Sequence, residues 1–498
     1  MESIKKIYAK TRAQVKQNSS PPPQKVLGRY SKSPRSLFYA YLAFLFWLPI
    51  PLGSNRPWAW SMMEVWIFAI AMVWLALYTF SNLNVTTAFR CARTVILCWS
   101  IWLLFSTLHF LPLPVEITTF LAPKLAAIHQ TATPGEGLSA IPLSITPYAS
   151  WVEWLKGASY LLVFIMTLLL VESRNRLRML AWIMVSSAAI QAMIGTFFFL
   201  SESHMELLFS AVSSPQGAAS GTFINRNHFA NFLVINFAMG IGLIIAGLKE
   251  SSQTESFDNK LLSFIRVIIS YKLPLRIFLV IIVIGIVLSR SRMGNTSLLI
   301  SLFIAGTFIL KAFKARRHIV ILLLLSFLVV DLFLIGKVVG VDKVLQRIEQ
   351  TTVATESKPK VFKDTLSLIG DHWLLGTGMG SFSDTFPRYK SFTAENHFRH
   401  AENDYLEYFA ETGLIGFSLL GFPVLLSLLT VIRIHLQTSD PLYRGLSFAS
   451  IMGISATLIH ALADFNLHIP ANTVTFMVLL SIPWMLKTQA IEQVSDST

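Results

Sequence analysis

The stretch SFTAENHFRHAENDYLEYFAETGLIGF, Ser391 to Phe417, gathers histidines, carboxylates and aromatic residues just ahead of a greasy run. Read as a helix from about Ala401, residues three and four apart share a face. His400, Asn403 with Asp404, Glu407 and Glu411 then form one polar stripe, while Tyr405, Tyr408 and Phe409 fall on other faces. A histidine flanked by carboxylates can be tuned to accept a proton near neutral pH. The plainer alternative is a solvated acidic face. A second candidate is LSRSRMGN, where Arg290 and Arg292 lie between two apolar runs with almost no loop. A charge there is costly unless it sits at an interface or faces a watery cavity. The guanidinium fork suits phosphate oxygens, and interfacial snorkelling is the alternative. On a continuous helix the two arginines would point roughly 200° apart; an extended hairpin would aim both the same way.

Two further clusters stand before or between apolar runs. GTFINRNHFANF presents Asn225, Arg226, Asn227 and His228, either as donors for a sugar or pyrophosphate or as a helix cap with snorkelling. HALADFNLHIPAN puts Asp464, Asn466 and His468 in a short turn, with His460 and Asp464 spaced to share a helix face as a polar pair. GTGMGS, Gly376–Ser381, lacks the Lys-Ser/Thr of a P-loop and reads as a turn. Neither a His-Glu-x-x-His nor a Cys-x-x-Cys motif is present, so no metal site is expected. Cys91 and Cys98 read as packing residues.

The elements that must position these groups are transmembrane helices. The chain has 498 residues, 53% hydrophobic and only 14% charged, against about 25% charged in soluble domains. Apolar runs reach the bilayer-spanning length. We expect an all-α polytopic membrane protein with about twelve spans and a large helical loop between spans nine and ten. The expected limits are 37–54, 62–80, 94–112, 153–171, 179–200, 227–248, 273–289, 293–310, 318–336, 412–432, 445–463 and 470–486. The layout is then a basic, disordered tail over 1–36, spans one to nine over 37–336, the large loop over 337–411, spans ten to twelve over 412–486, and a tail over 487–498.

The formal charge of +14 alternates between loops, so it signals topology rather than a nucleic-acid partner. The arginine- and lysine-rich loops place both termini in the cytoplasm by the positive-inside rule. Two long loops, about 113–151 and 340–411, then lie outside, and all four polar clusters fall on that face. A loop as long as the second usually carries function. Its segment KVFKDTLSLIGDHWLL has a helical pattern, with Val361, Leu366, Leu368 and Ile369 as its apolar positions.

Taken together, GTFINRNHFANF, SRSRMG, GDHWLLGTGMGSFSDTFPRY and HAENDYLEYFAETGLIG resemble the O-antigen ligase and polymerase superfamily of bacterial envelope proteins, over about Gly221 to Gly416. The resemblance implies a membrane-embedded, inverting, metal-independent glycosyltransferase of the bacterial inner membrane, with a periplasmic active site and no cofactor. Its donor would be a glycan on undecaprenyl pyrophosphate, and its acceptor another glycan or lipid A–core. It also implies roles for residues. Arg292 matches the family's motif arginine for pyrophosphate, with Arg290, Arg226 and Lys358 assisting, and Asn225, Asn227, Asn403 and Tyr405 lining the substrate site. The family's loop reads His-x-His-Asn, but here the second histidine is replaced by Glu402, while His400 keeps the first. His400 or Glu402 would thus be the base, with His400 favoured. Lys358 also stands where relatives carry arginine, which keeps charge but loses the bidentate fork. Three rivals stand beside this reading: a transporter or flippase of lipid-linked glycan, a protein O-oligosaccharyltransferase, and a structural assembly partner.

Overall fold

Long apolar runs have to satisfy their backbone groups internally in lipid, and helices do so. A computed structural model of the chain describes residues 33–81, 83–132, 137–201, 206–207, 210–211, 217–247, 272–312, 358–392 and 397–495. Its helices are α1 Arg35–Trp47, α2 Pro57–Phe80, α3 Thr87–Cys91, α4 Arg93–Thr107, α5 Val115–Leu121, α6 Pro123–Ala132, α7 Pro147–Leu170 and α8 Arg174–Ser201. They continue with α9 Arg226–Gly247, α10 Lys272–Leu288, α11 Arg292–Ala312, α12 Lys358–Asp371, α13 Phe382–Thr385, α14 Asp404–Gln437, α15 Pro441–His460 and α16 Pro470–Ser495. Two short antiparallel pairings, Leu113–Pro114 with Ala140–Ile141 and Glu206–Leu207 with Ser210–Ala211, are the strands among the described residues.

The chain is a helical, multi-pass membrane protein. Among the described residues, 6 helices are long and apolar enough to cross a bilayer: α2, α7, α8, α9, α14 and α15. α4 and the Leu273–Leu288 part of α10 are shorter apolar helices. Span nine, expected at 318–336, the first part of the large loop and the N-terminal tail up to residue 32 lie outside the described residues. The first expected span is cut short, because Pro49 and Pro51 cannot donate to a helix and α1 stops at Trp47. The third ends at Thr107 rather than 112, in a turn ahead of Pro112 and Pro114. α16 runs on to Ser495, past its expected end at 486.

α9 is the central post, buried along nearly its whole length and packed on α8, α10, α11 and α15. Its backbone touches that of α15 where Gly242 meets Gly445, with no room for a Cβ at either. Close approach of small residues substitutes in lipid for a hydrophobic driving force. α10 turns sharply into α11, and Gly294 at the start of α11 packs on Ala230 of α9. The N-terminal ends of α9 and α11 therefore lie side by side.

The described part of the late loop is folded. Val361, Leu368, Phe382, Phe386, Ala401 and Ala410 form a small core of their own beside the main one. Ile369 packs against it, but Leu366, expected on the apolar face, is 57% exposed. The helix carries Asp364 inward at that level instead, where it accepts hydrogen bonds from the Ser391 N–H and hydroxyl. The first loop clasps the late one through an ion pair between Lys124 and Asp371 and through the Ser150 hydroxyl, which donates to the Met379 carbonyl at 2.8 Å.

Candidate active site

The site is built on the start of α14. Asn403 caps this helix, its side-chain oxygen accepting from the Leu406 N–H at 3.1 Å, the usual role of Asn at such a position. The helix therefore begins at Asp404, not near Ala401 as expected, and His400 and Glu402 precede it. Glu402 has φ 57°, the left-handed region. The chain reverses there, and that reversal brings His400 back over the helix. Its Nδ1 lies 2.7 Å from Glu407 Oε1, while Glu407 Oε2 accepts the Ala401 N–H at 2.7 Å. The expected neighbours thus meet, by a turn rather than by helical spacing.

α14 is kinked at Gly413, with φ 61° and ψ −172°, a conformation essentially reserved for glycine. The kink separates the polar first turns from the apolar span. The glycine-rich turn Gly376–Ser381 docks at that point. Thr377 and Gly378 donate their N–H groups to the carbonyls of Ala410 and Glu411, and the Phe382 N–H donates to Glu411 Oε1.

From the other side comes the turn between α15 and α16. The N–H of Asp404 donates to the carbonyls of Ala461 and Asp464. His468 places Nδ1 2.9 Å from Asp404 Oδ1 and Nε2 3.4 Å from Glu407 Oε1. Its ring stacks on Tyr408 at 4.5 Å, and that of His400 stacks on Phe465 at 4.0 Å. Burial pulls His468 toward its neutral form, but the carboxylates of Glu407, Asp404 and Glu411 outweigh it and push its pKa up to about 10. Sequence reasoning flagged His468 in a turn and Glu407 in a stripe, but named neither as a site residue. Their partnership spans about sixty positions of chain, and neither local spacing nor composition signals it.

A second cluster adjoins the first. Asp464 lies 3.2 Å from His228 Nε2 at the head of α9 and 4.0 Å from His460 Nε2. Burial would raise the Asp464 carboxyl, but His228 in close contact, together with His460 and Lys358 nearby, holds it well below the usual carboxylate range. Phe465 bridges the clusters, stacked on His400 and edge-on to His228 at 4.6 Å.

The cationic candidates occupy the same end of the molecule. Arg290 sits in the tight turn between α10 and α11 with φ 53°, so neither the continuous helix nor the extended hairpin describes it. Its guanidinium lies over the Phe199 ring at 5.5 Å, and its Nε is buried with no hydrogen-bond partner among the described residues. Arg292 opens α11 and is exposed; Arg226 opens α9 beside it. Asn225 accepts the Asn227 N–H on Oδ1 at 2.8 Å, as a cap does. Lys358 pairs with Glu402 at 2.9 Å and donates to the Ala463 carbonyl. Asn403 and Tyr405 donate to the carbonyls of Leu462 and Leu458. An apolar cavity of about 390 Å³ lies below, between α4, α7, α14 and α16, reaching Asp404 and Tyr408 at one end.

His400, Glu407 and His468 each offer a donor atom, all within 4.8 Å of one another, close enough to consider a metal ion. The 2.7 Å separation of His400 and Glu407 is that of a hydrogen bond. Two ligands on one tetrahedral ion would stand roughly 3.3 Å apart. The trio reads as a charge network with one hydrogen bond, between His400 and Glu407.

A helical membrane protein thus gathers arginines at two touching helix ends and a histidine–carboxylate network beside them. Residues 277–421 match the family described as O-Antigen ligase, which supports membership of the O-antigen ligase superfamily. The match covers Arg290, Arg292, Lys358, His400, Glu402 and Glu407. The family is one of glycan-transferring ligases and polymerases acting on lipid-linked substrates. Among curated proteins, none matches the chain.

Proposed function

We propose that the protein transfers a glycan from undecaprenyl pyrophosphate to an acceptor hydroxyl, by an inverting displacement that needs no metal, on the periplasmic face of the inner membrane. Arg292, with Arg290 and Arg226, holds the pyrophosphate. The acceptor oxygen attacks the anomeric carbon from the opposite face, and the carbon–oxygen bond to pyrophosphate breaks with its electron pair leaving on the phosphate. The acceptor's proton passes to His400 Nε2. Glu402 already faces Lys358, so in this reading it is a latch rather than the base, and Lys358 belongs to that latch. A pyrophosphate is a good leaving group, so charge stabilisation by the arginines outweighs base strength. The cavity beside Tyr408 gives a substrate's lipid chain a place between the spans.

The observation that supports this most is the nearness of two unlike chemistries: arginines where α9 and α11 begin, and, across Phe465, an imidazole held by a buried carboxylate. The test is complementation of a deletion strain with wild type, Arg292→Ala, His400→Ala and Glu402→Ala, with envelope glycans resolved by size. Arg292→Ala and His400→Ala should abolish the product. Unlinked long chains left on the carrier identify a ligase; single repeat units identify a polymerase. Normal product from both variants would sink the proposal. So would purified protein that moves the donor across vesicles without forming a new glycosidic bond.

A further inference from the structure

Two buried carboxylates, Asp404 and Glu407, stand one helical turn apart, each about 1% exposed. Buried charges have to be paired. His468 lies between them, with one ring nitrogen toward each, and is itself 7% exposed at the side chain. Its Nε2 makes no hydrogen bond among the described residues, so its contact with Glu407 at 3.4 Å is one of charge. His400 meets the same Glu407 oxygen from the open side and keeps 29% of its side chain exposed. His468 is thus the group placed to set positive charge against both carboxylates.

We propose that Glu407 and His468 are positioning residues for His400: Glu407 takes its Nδ1–H and turns Nε2 to the open side, while His468 supplies the positive charge that balances Glu407. The inference rests on His400 being the base. A base has to be unprotonated when the acceptor arrives, and the tautomer is set by what its other nitrogen donates to. Rigid backbone fixes the arrangement. The Leu467 carbonyl accepts from the hydroxyls of Tyr408 and Thr473, and the Leu467 N–H donates to Asp404. The other titratable groups facing the trio are Tyr408 and Glu411 on α14, Glu153 and Tyr160 on α7, Glu402 with Lys358, and Asp464 with His228 and His460 across Phe465.

The experiment is the pH–rate profile of glycan transfer by purified full-length protein in vesicles with a polyprenyl-pyrophosphate glycan. His468→Gln should move the acid limb up by about one pH unit, a tenfold loss below the limb that recovers in alkali. His468→Lys should keep the wild-type limb. Glu407→Gln should lower kcat about 100-fold and move the limb down, with the donor KM unchanged in both series. Profiles that superimpose on wild type after uniform scaling would overturn the inference. So would one equivalent of metal bound to wild type whose chelation abolishes activity, a check that holds even if a variant does not fold. Activity retained in His400→Ala would instead overturn the underlying assignment of the base, while loss there with unmoved His468 and Glu407 profiles would remove only this inference.

Discussion

His468 is the residue at which chemistry and stability meet. Its folded pKa, about 10, lies above the ordinary histidine value of 6.5. A group raised on folding contributes its stability fully below the unfolded value and loses it as pH climbs through the folded one. The native state should therefore weaken between about pH 6.5 and 10, by at most about 1.4 kcal/mol per pH unit for this one group. Asp464 works in the opposite sense: its pKa is depressed by His228, so its contribution is present above the usual carboxylate range and disappears in strong acid. We predict that the melting temperature of the detergent-solubilised protein falls from pH 7 to 10, and that His468→Gln starts lower and falls less. Equal slopes in the two proteins would show that His468 is not the group responsible.

At the scale of elements, the hinge of α14 joins the soluble-looking chemistry to the membrane. Gly413 holds a φ of 61° with a ψ of −172°, and an added Cβ would run into the Leu374 carbonyl. Gly413→Ala should lose the docking of the glycine-rich turn, raise protease sensitivity in the late loop and abolish transfer. Gly421→Ala, further along the same helix with open space around its Cβ, should melt no lower than wild type and gain up to about 1 kcal/mol from helix propensity. If the two variants behave alike, the kink is not what holds the loop. Much of this layer was legible beforehand, because apolar runs have one solution in lipid: α7, α8, α9, α10 and α11 begin and end within a few residues of the expected limits, apart from the earlier starts of α7 and α8. Helix ends were harder. Pro49 and Pro51 shortened the first span, and the Asn403 cap moved the start of α14, because caps and prolines compete with hydropathy locally. The geometry of the candidate site was half legible. His400 and its acidic stripe stood out, whereas the pairing of Glu407 with His468 and of Lys358 with Glu402 depends on chain reversals that no periodicity reports.

At the scale of the whole molecule, the arrangement has two unlike ends. One end carries the late loop, the two histidine clusters and the turn with Arg290. The other carries arginines tied down by acids, with Arg174 paired to Asp440 at 2.7 Å and Arg176 near Glu172 at 3.5 Å. Positive residues accumulate on the cytoplasmic side of membrane proteins, so the orientation we propose puts the second end in the cytoplasm and the site in the periplasm. A lipid-pyrophosphate donor presented at the outer leaflet would be reached only from that first end, so orientation decides whether the proposed chemistry is accessible at all. The assignment can be read with single cysteines placed in a protein whose Cys91 and Cys98 have been replaced by alanine. Tyr148→Cys, exposed at the site end, should react with an impermeant maleimide in cells whose outer membrane is permeabilised. Ser439→Cys, in the exposed turn between α14 and α15, should react only after the inner membrane is broken. The reverse pattern would put His400 and Arg292 in the cytoplasm, out of reach of a periplasmic donor, and the proposed reaction would fall with it.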